Sequence, residues 1–570
     1  MSQSKPASLV DTFVPIRIRR PDSTMTNKSV TSAIPASMDP SNAGYPSSVE
    51  EIRRKEYPNL QQEVYLDHSG TTIYARSLIE GFSQAMISNL WGNPHSENLA
   101  AKLSGDMVDK TRRRALDFFG ADPERFDLVF VANATAGVKL VAETFRDLGE
   151  KTTKKSFWYG YHSEVHSSIL GVREITEGRY HCFSSDEEVE RFLDDTKQCT
   201  IRGPEDSELG LFAYPGQSNL SGRRLSKTWP RRIRKNPALR NTYSLFDAAA
   251  LAMTCPLDSL FADPDAAPDF TCLSLYKIFG FPDLGALIVR RDSGHILNLR
   301  KYFGGGTIAQ VFPLNGYSHT VKKGPGLGDP HGLWSIHDAV EDGTLPLHSI
   351  LALSLAIDTH LRLYGSMAAV SRHCTNLAVL LYRKLAEIRY PDGSLVVELY
   401  TDPVTGYEDP SVQGATFAFN VLRQDRSYVS WLEVERAANS AGVFIRAGGV
   451  CCPGGVLKAL RYEEWEWSRM FSSGHACGFG ETAIINRRPT GIVRASIGAM
   501  STEGDINALV RFLHGTFVQT SGRTSLQDKS GHSTDEVGRQ PSRAATLGGI
   551  PGIDARLNCT DSLLAPAAGS

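Results

Sequence analysis

Leu128-Val129-Phe130-Val131-Ala132-Asn133-Ala134-Thr135-Ala136-Gly137 is an apolar run that stops in small residues, and Val138, Leu140, Val141 and Phe145 then return at helical spacing. A strand followed directly by a helix is the repeating unit of an α/β protein. The pattern recurs. Leu211-Phe212-Ala213-Tyr214 reads as a buried strand cut off by Pro215-Gly216, residues 243–246 as another ending at Asp247, and 286–289 as a third opening after Gly285. Short, wholly apolar strands between helical stretches predict an α/β fold with a mostly parallel sheet, because strands without polar alternation need cover on both faces. From about residue 345 the pattern changes. Helical stretches over 349–364 and 367–388 lead into strands around 396–398 and 416–421, which reads as a second, α+β domain.

The flanks differ from this middle. Residues 1–60 are rich in Ser, Pro and Thr, and no aromatic residue follows Phe517. Such segments bury too little apolar surface to offset chain entropy. The expected organisation is a disordered extension over 1–60, a large domain over 61–344, a small domain over 345–516 and a disordered tail over 517–570.

Composition narrows the function classes. With 570 residues and 41% hydrophobic content the chain can bury a sizeable core. Lys and Arg (61) nearly balance Asp and Glu (63), so no basic excess points to nucleic acid. No apolar run approaches the ~20 residues that cross a bilayer. Nine cysteines, with Cys451 and Cys452 adjacent and no C-x-x-C pair, suit neither a disulfide scaffold nor a zinc site and point to a reducing, cytoplasmic setting. The N-terminus lacks a secretory apolar segment; Arg17, Arg19 and Arg20 suit a mitochondrial presequence, against which Asp11 and Asp22 count.

In α/β proteins ligands gather beyond the carboxyl ends of the strands. Ala134 and Thr135 open a helix there, where free N–H groups and the helix dipole favour an anion; an ordinary N-cap would look the same. Asp247 ends a strand and needs a partner for its charge, either a salt bridge or a protonated ring nitrogen. Lys277 lies in an apolar run, where desolvation turns an amine into a nucleophile suited to Schiff-base chemistry. A phosphate nest, a strand-end Asp and a lysine thirty residues later form the set a pyridoxal phosphate enzyme needs.

Several further stretches carry a resemblance: Tyr65-Leu66-Asp67-His68-Ser69-Gly70-Thr71-Thr72, Gly92-Asn93-Pro94-His95-Ser96, Phe212 to Asn219, Ser274 to Gly280, Tyr302 to Thr307, Glu341-Asp342-Gly343-Thr344 and Pro489 to Arg494. Over about 60–516 the sequence resembles the class V aminotransferase group and, within it, the cysteine desulfurase-like domain of molybdenum cofactor sulfurases. The resemblance implies a type I pyridoxal phosphate-dependent transferase fold with a seven-stranded sheet. It implies that His166 stacks on the cofactor ring, with His162 the competing candidate. Asn219 or Gln217 would bond the cofactor's phenolic oxygen, and Ser274 would join Thr135 at the phosphate. Thr307 would reach a neighbouring subunit's phosphate, implying a homodimer, and Arg494 would clamp the substrate carboxylate as a bidentate fork, with Asn219 also at the substrate.

The family's catalytic cysteine falls on Cys451 within Arg446-Ala447-Gly448-Gly449-Val450-Cys451-Cys452-Pro453-Gly454-Gly455-Val456. A Gly- and Pro-rich loop suits a thiol that visits the substrate and then an acceptor. The family's Asn is Cys452 here and its later cysteine is Val456, which leaves open which adjacent thiol reacts. The implied activity is removal of sulfur from L-cysteine, giving alanine and a Cys451 persulfide, for molybdenum cofactor sulfuration. Alternatives are a pyridoxal phosphate-dependent C–S lyase, decarboxylase or aminotransferase, and a catalytically idle binding subunit; Lys277, Asp247 and Asn219 oppose the last. The expected partners are a cysteine-type amino acid and a sulfur acceptor, the molybdenum cofactor or its carrier. Because the resemblance stops near 516, a separate protein is expected to present that cofactor.

Overall fold

The computed structural model describes residues 44–519 apart from 153–155, 195–200, 206–207, 315–318, 327–328, 330, 402–405 and 473–481. The early strands are β1 (Val64–Tyr65), β2 (Phe126–Val131), β3 (Trp158–His162), β4 (Tyr180–Phe183), β5 (Gly210–Pro215), β6 (Thr242–Asp247), β7 (Phe270–Ser274) and β8 (Gly285–Arg290). Strands β2 to β8 form one seven-stranded sheet in the order β2-β8-β7-β6-β5-β3-β4. β4, β3, β5, β6 and β7 run parallel, and β8 is antiparallel to both of its neighbours.

The apolar runs explain this sheet. Successive side chains on a strand point to opposite faces. Leu128, Phe130, Phe212, Tyr214, Phe246 and Ile288 join one apolar cluster, while Val129, Leu211, Ala213, Leu245 and Leu287 join another. Both faces are therefore buried, and the strands show no polar alternation. The helix Ala134–Thr152 covers the second cluster through Val138, Val141 and Phe145.

The later strands are β9 (Ile308–Phe312), β10 (His319–Lys322), β11 (Val397–Leu399), β12 (Thr416–Val421), β13 (Val443–Phe444), β14 (Arg446–Gly448), β15 (Ile484–Ile485), β16 (Arg488–Pro489) and β17 (Ile492–Ser496). A second, antiparallel sheet has the order β11-β12-β17-β14, while β9 with β10 and β15 with β16 form small hairpins. Helices Leu347–Tyr364 and Met367–Glu387 precede it, close to their expected positions.

The expected boundaries need correction. Residues 44–60 are ordered rather than part of a disordered extension. Ser48 caps the helix Val49–Glu56 by accepting the Glu51 N–H, and Tyr45, Ile52, Tyr57 and Leu60 are buried. Residues 1–43 lie outside the described residues. β1 pairs parallel with β13, and Asp67 bridges to Ser496, so the chain around residue 64 completes the C-terminal layer rather than the large sheet. The division near 344 is not a break in packing. One apolar cluster runs from Phe212 and Leu273 through Ile350 and Val370 to Phe417 and Val493. Phe517 is buried rather than in a tail, and 520–570 lie outside the described residues.

No helix among the described residues is long and apolar enough to cross a membrane. No group of His, Cys, Asp or Glu among them is placed to hold a metal ion.

Candidate active site

The carboxyl ends of β5, β6 and β7 and the start of the helix Ala134–Thr152 surround a cleft of about 60 Å³. Its walls include Ala134, Thr135, His166, Gln217, Asn219, Asp247, Ser274 and Lys277. Every cleft residue singled out in the sequence is thus brought together except His162, Thr307, Arg494 and the cysteines. His162 is fully buried, 3.2 Å from Asp186, and is not part of the cleft lining. Thr307 is buried, and its hydroxyl donates to the Gly304 carbonyl at 2.8 Å.

Backbone groups and short side chains build the helix-start end of the cleft. Asn133, not Thr135, caps the helix; its side-chain oxygen accepts the Ala136 N–H at 3.0 Å. The Ala134 N–H points to Ser274 Oγ at 3.1 Å, joining the turn to the end of β7. Gly285 permits this approach, since a Cβ there would lie 2.5 Å from the Asn133 Cα. Glu341 fixes the strand feeding the turn. It holds Arg112 through two bonds of 2.7 and 2.8 Å and accepts the Phe130 N–H at 2.6 Å.

Asp247 is 8% exposed, and its Oδ1 accepts the Ala249 N–H at 2.9 Å. Lys277 follows β7 in the short helix Tyr276–Phe279 and lines the cleft. Desolvation by the cleft walls lowers its pKa to about 8. Arg494 and Arg446 lower it further, while Asp247 and Asp67 oppose them. The neutral, nucleophilic form of this amine is therefore far easier to reach than that of an ordinary lysine.

The two cysteines have opposite environments. Cys451 is half-buried, and a hydrogen bond from His166 lowers its pKa to about 7 against the opposing effect of burial; Arg446 Nη2 lies 3.6 Å from its Sγ. Ser168 donates its N–H to His166 Nδ1 at 3.2 Å, which places the neutral ring's proton on Nε2. Cys452 is fully buried among Leu220, Val456 and Ile492, donates to the Glu164 carbonyl, and is pushed up to about 12 by burial. The backbone here is strained: Val450 has φ 42° and Cys451 φ 56°. Both carbonyls are held, that of Val450 by Asn219 Nδ2 at 2.7 Å and that of Cys451 by the Ser167 N–H at 2.9 Å. Gly454 lets the loop sit against the histidine segment, because a Cβ there would lie 2.1 Å from the Ser163 carbonyl oxygen.

Arg494 on β17 is fully buried and faces Arg446 across the strand pair. Its Nη2 donates to Asp67 Oδ1 at 2.5 Å and its Nη1 to the Asn219 carbonyl at 3.1 Å. Asp67 and Arg446 were not singled out from the sequence. Both lie within quoted stretches, and only the strand pairing reveals what they touch.

The aminotransferase class-V family matches residues 64–509. The chain belongs to the class V aminotransferase family. The chain is 48% identical over 478 residues to the molybdenum cofactor sulfurase of Aspergillus clavatus, covering 84% of this chain and 54% of that protein. It is 47% identical over 495 residues to that of Botryotinia fuckeliana, covering 86% and 58%. The chain spans about half the length of the curated relatives it matches. Among solved structures, the apo cysteine desulfurase of Thermococcus onnurineus matches with a TM-score of 0.59 at 17% identity, covering 82% of this chain and 98% of that one. A cysteine desulfurase of Escherichia coli matches with the same score, identity and coverage. At that identity the likeness shows the fold.

The side chains of the cleft fit pyridoxal phosphate. The helix start with Thr135 and Ser274 suits its phosphate, Asp247 suits a protonated ring nitrogen, and the Lys277 amine suits its aldehyde. His166 and Asn219 or Gln217 complete the walls.

Proposed function

We propose that this protein is a pyridoxal phosphate-dependent cysteine desulfurase that mobilises sulfur for the molybdenum cofactor. The observation that carries the reading is the Cys451 thiol, held between His166 and Arg446 with its pKa near 7, on a loop bonded to the cleft residue Asn219.

When bound, pyridoxal phosphate supplies an electron sink that labilises bonds around the α-carbon of an amino acid. Lys277 anchors the group and, as a free amine, holds or releases a proton beside the substrate. Asp247 keeps a cationic ring nitrogen paired. Arg494 binds the substrate carboxylate, drawing its guanidinium from Asp67. The Cys451 thiolate attacks the sulfur of L-cysteine, the substrate's C–S bond breaks, and the products are alanine and a Cys451 persulfide. His166 stabilises that thiolate from Nε2. The acceptor is the molybdenum cofactor, presented by a further domain or a separate carrier.

A homodimer completes this reading. Tyr302, on the glycine loop that carries Thr307, is 71% exposed, and Ile87, Leu90 and Leu99 are also exposed. The loops around them meet, with His95 Nε2 lying 3.4 Å from the Gly343 carbonyl. The cofactor assignment is tested by absorbance: purified protein shows a near-visible band that Lys277→Ala removes, and a wild-type protein without the band contradicts it.

A further inference from the structure

Arg224 is a buried cation without a carboxylate. It is 8% exposed, and no Asp or Glu among the described residues lies within ion-pair distance of it. The acidic groups that act on it electrostatically are the thiols of Cys255 and Cys374 and the exposed Asp409. Desolvating a guanidinium is costly when no counter-charge offsets it, and burial lowers the Arg224 pKa accordingly. Its bonds go to neutral acceptors instead. Nε donates to Gln217 Oε1 at 3.0 Å, and Nη1 donates to the Pro410 carbonyl.

That first bond fixes an amide that would otherwise be ambiguous. A guanidinium only donates, so the Gln217 atom facing it is the oxygen. Gln217 Nε2 therefore lies on the other side, 3.3 Å from the carbonyl of Ala250, a residue of the cleft wall. Gly414 backs the same amide, since a Cβ there would lie 2.2 Å from Gln217 Oε1. Asn219 likewise spends one side-chain N–H on a backbone carbonyl, that of Val450 in the cysteine loop.

We propose that Arg224 is a positioning residue that locks the Gln217 amide, so that the second Gln217 N–H is held for the cofactor's phenolic oxygen. The inference rests on the cofactor assignment above. An N–H donated to a phenolate oxygen stabilises the charge there and loosens the hold on the neighbouring imine proton. The arrangement thus lowers the pH at which the bound cofactor's absorbance titrates.

The test is the pH midpoint of the near-visible band in the cofactor-loaded protein, with thermal unfolding recorded alongside. Asp247, Asp67, Arg446 and Arg494, the charged groups around Lys277, are unchanged in every variant. Gln217→Glu keeps a partner for Arg224 but loses the N–H, and it raises the midpoint by about one pH unit or more. Arg224→Met does the same, Arg224→Lys restores part of the shift, and Arg224→Met with Gln217→Ala shifts no further than Gln217→Ala alone. A Gln217→Glu protein with an unmoved midpoint overturns the proposal. So does a folded Arg224→Met protein with the wild-type midpoint, or a double variant whose shift is the sum of the two. A wild-type protein without any band overturns the cofactor assignment itself, a result distinct from all of these.

Discussion

Asn219 donates its side-chain N–H to the Val450 carbonyl at 2.7 Å, and its own backbone carbonyl accepts from Arg494 at 3.1 Å. One residue thus connects the cleft wall, the cysteine loop and the carboxylate clamp. Asn219→Ala leaves the Val450 carbonyl buried without this donor, at a cost of about 1–3 kcal/mol. Chemical denaturation should show that loss. The Cys451 alkylation profile should also move to higher pH as the strained loop drifts from His166. Wild-type stability together with a wild-type alkylation profile contradicts the link.

His166 is the largest influence lowering the Cys451 thiol, which titrates near 7. In His166→Ala the pH midpoint of Cys451 alkylation should rise toward the ordinary thiol value of about 8.5. The folded-state pKa lies below the unfolded one. The thiolate's contribution to stability is therefore fully present above about 8.5 and is lost as pH falls through about 7. Stability measured across that window should fall less steeply in His166→Ala than in the wild type. A midpoint unchanged by the substitution contradicts the assignment.

Cys452 packs as a small apolar side chain whose thiol burial pushes up to about 12. Cys452→Ala should keep alanine formation from L-cysteine within about twofold and lower stability by about 1 kcal/mol. Loss of persulfide formation in this variant would make Cys452 the reactive thiol. Mass spectrometry of the labelled peptide distinguishes the two.

Lys277 bears on the stability of the protein free of cofactor. Burial lowers its amine to about 8, below the unfolded value of about 10.4. The unfolded chain therefore binds this proton more tightly. The penalty is present below pH 8 and gone above about 10.4. Lys277→Met should stabilise the cofactor-free protein at pH 7 by about 1–3 kcal/mol and lose most of that advantage by pH 10. A variant no more stable at pH 7 contradicts the desolvated amine.

Much of the fold was legible because buried parallel strands leave an unmistakable trace. The apolar stretches ending at Pro215 and Asp247 became β5 and β6, and the small-residue turn at Ala134 opened a helix as expected. The cleft residues followed, since strand ends meet on one side of such a sheet. Pairing between distant short segments left no such trace. Val64–Tyr65 joins Val443–Phe444 through backbone bonds alone, and two residues are too few for any periodicity. The helix Val49–Glu56 carried a signal, Ser48 capping toward Glu51, but its Ser- and Pro-rich surroundings masked it. Asp67 and Arg446 acquire meaning only through Arg494, which strand register places between them. Arg224 looks like a surface residue in a Gly-Arg-Arg run until burial reveals its partner.

The central claim is that Cys451 takes the sulfur of L-cysteine. Its most direct test is product analysis of the cofactor-loaded protein incubated with L-cysteine, before and after Cys451→Ala. The account predicts alanine together with a persulfide on Cys451 in the wild type, and loss of both in the variant while the near-visible band remains. A Cys451→Ala protein that forms alanine at the wild-type rate would contradict it.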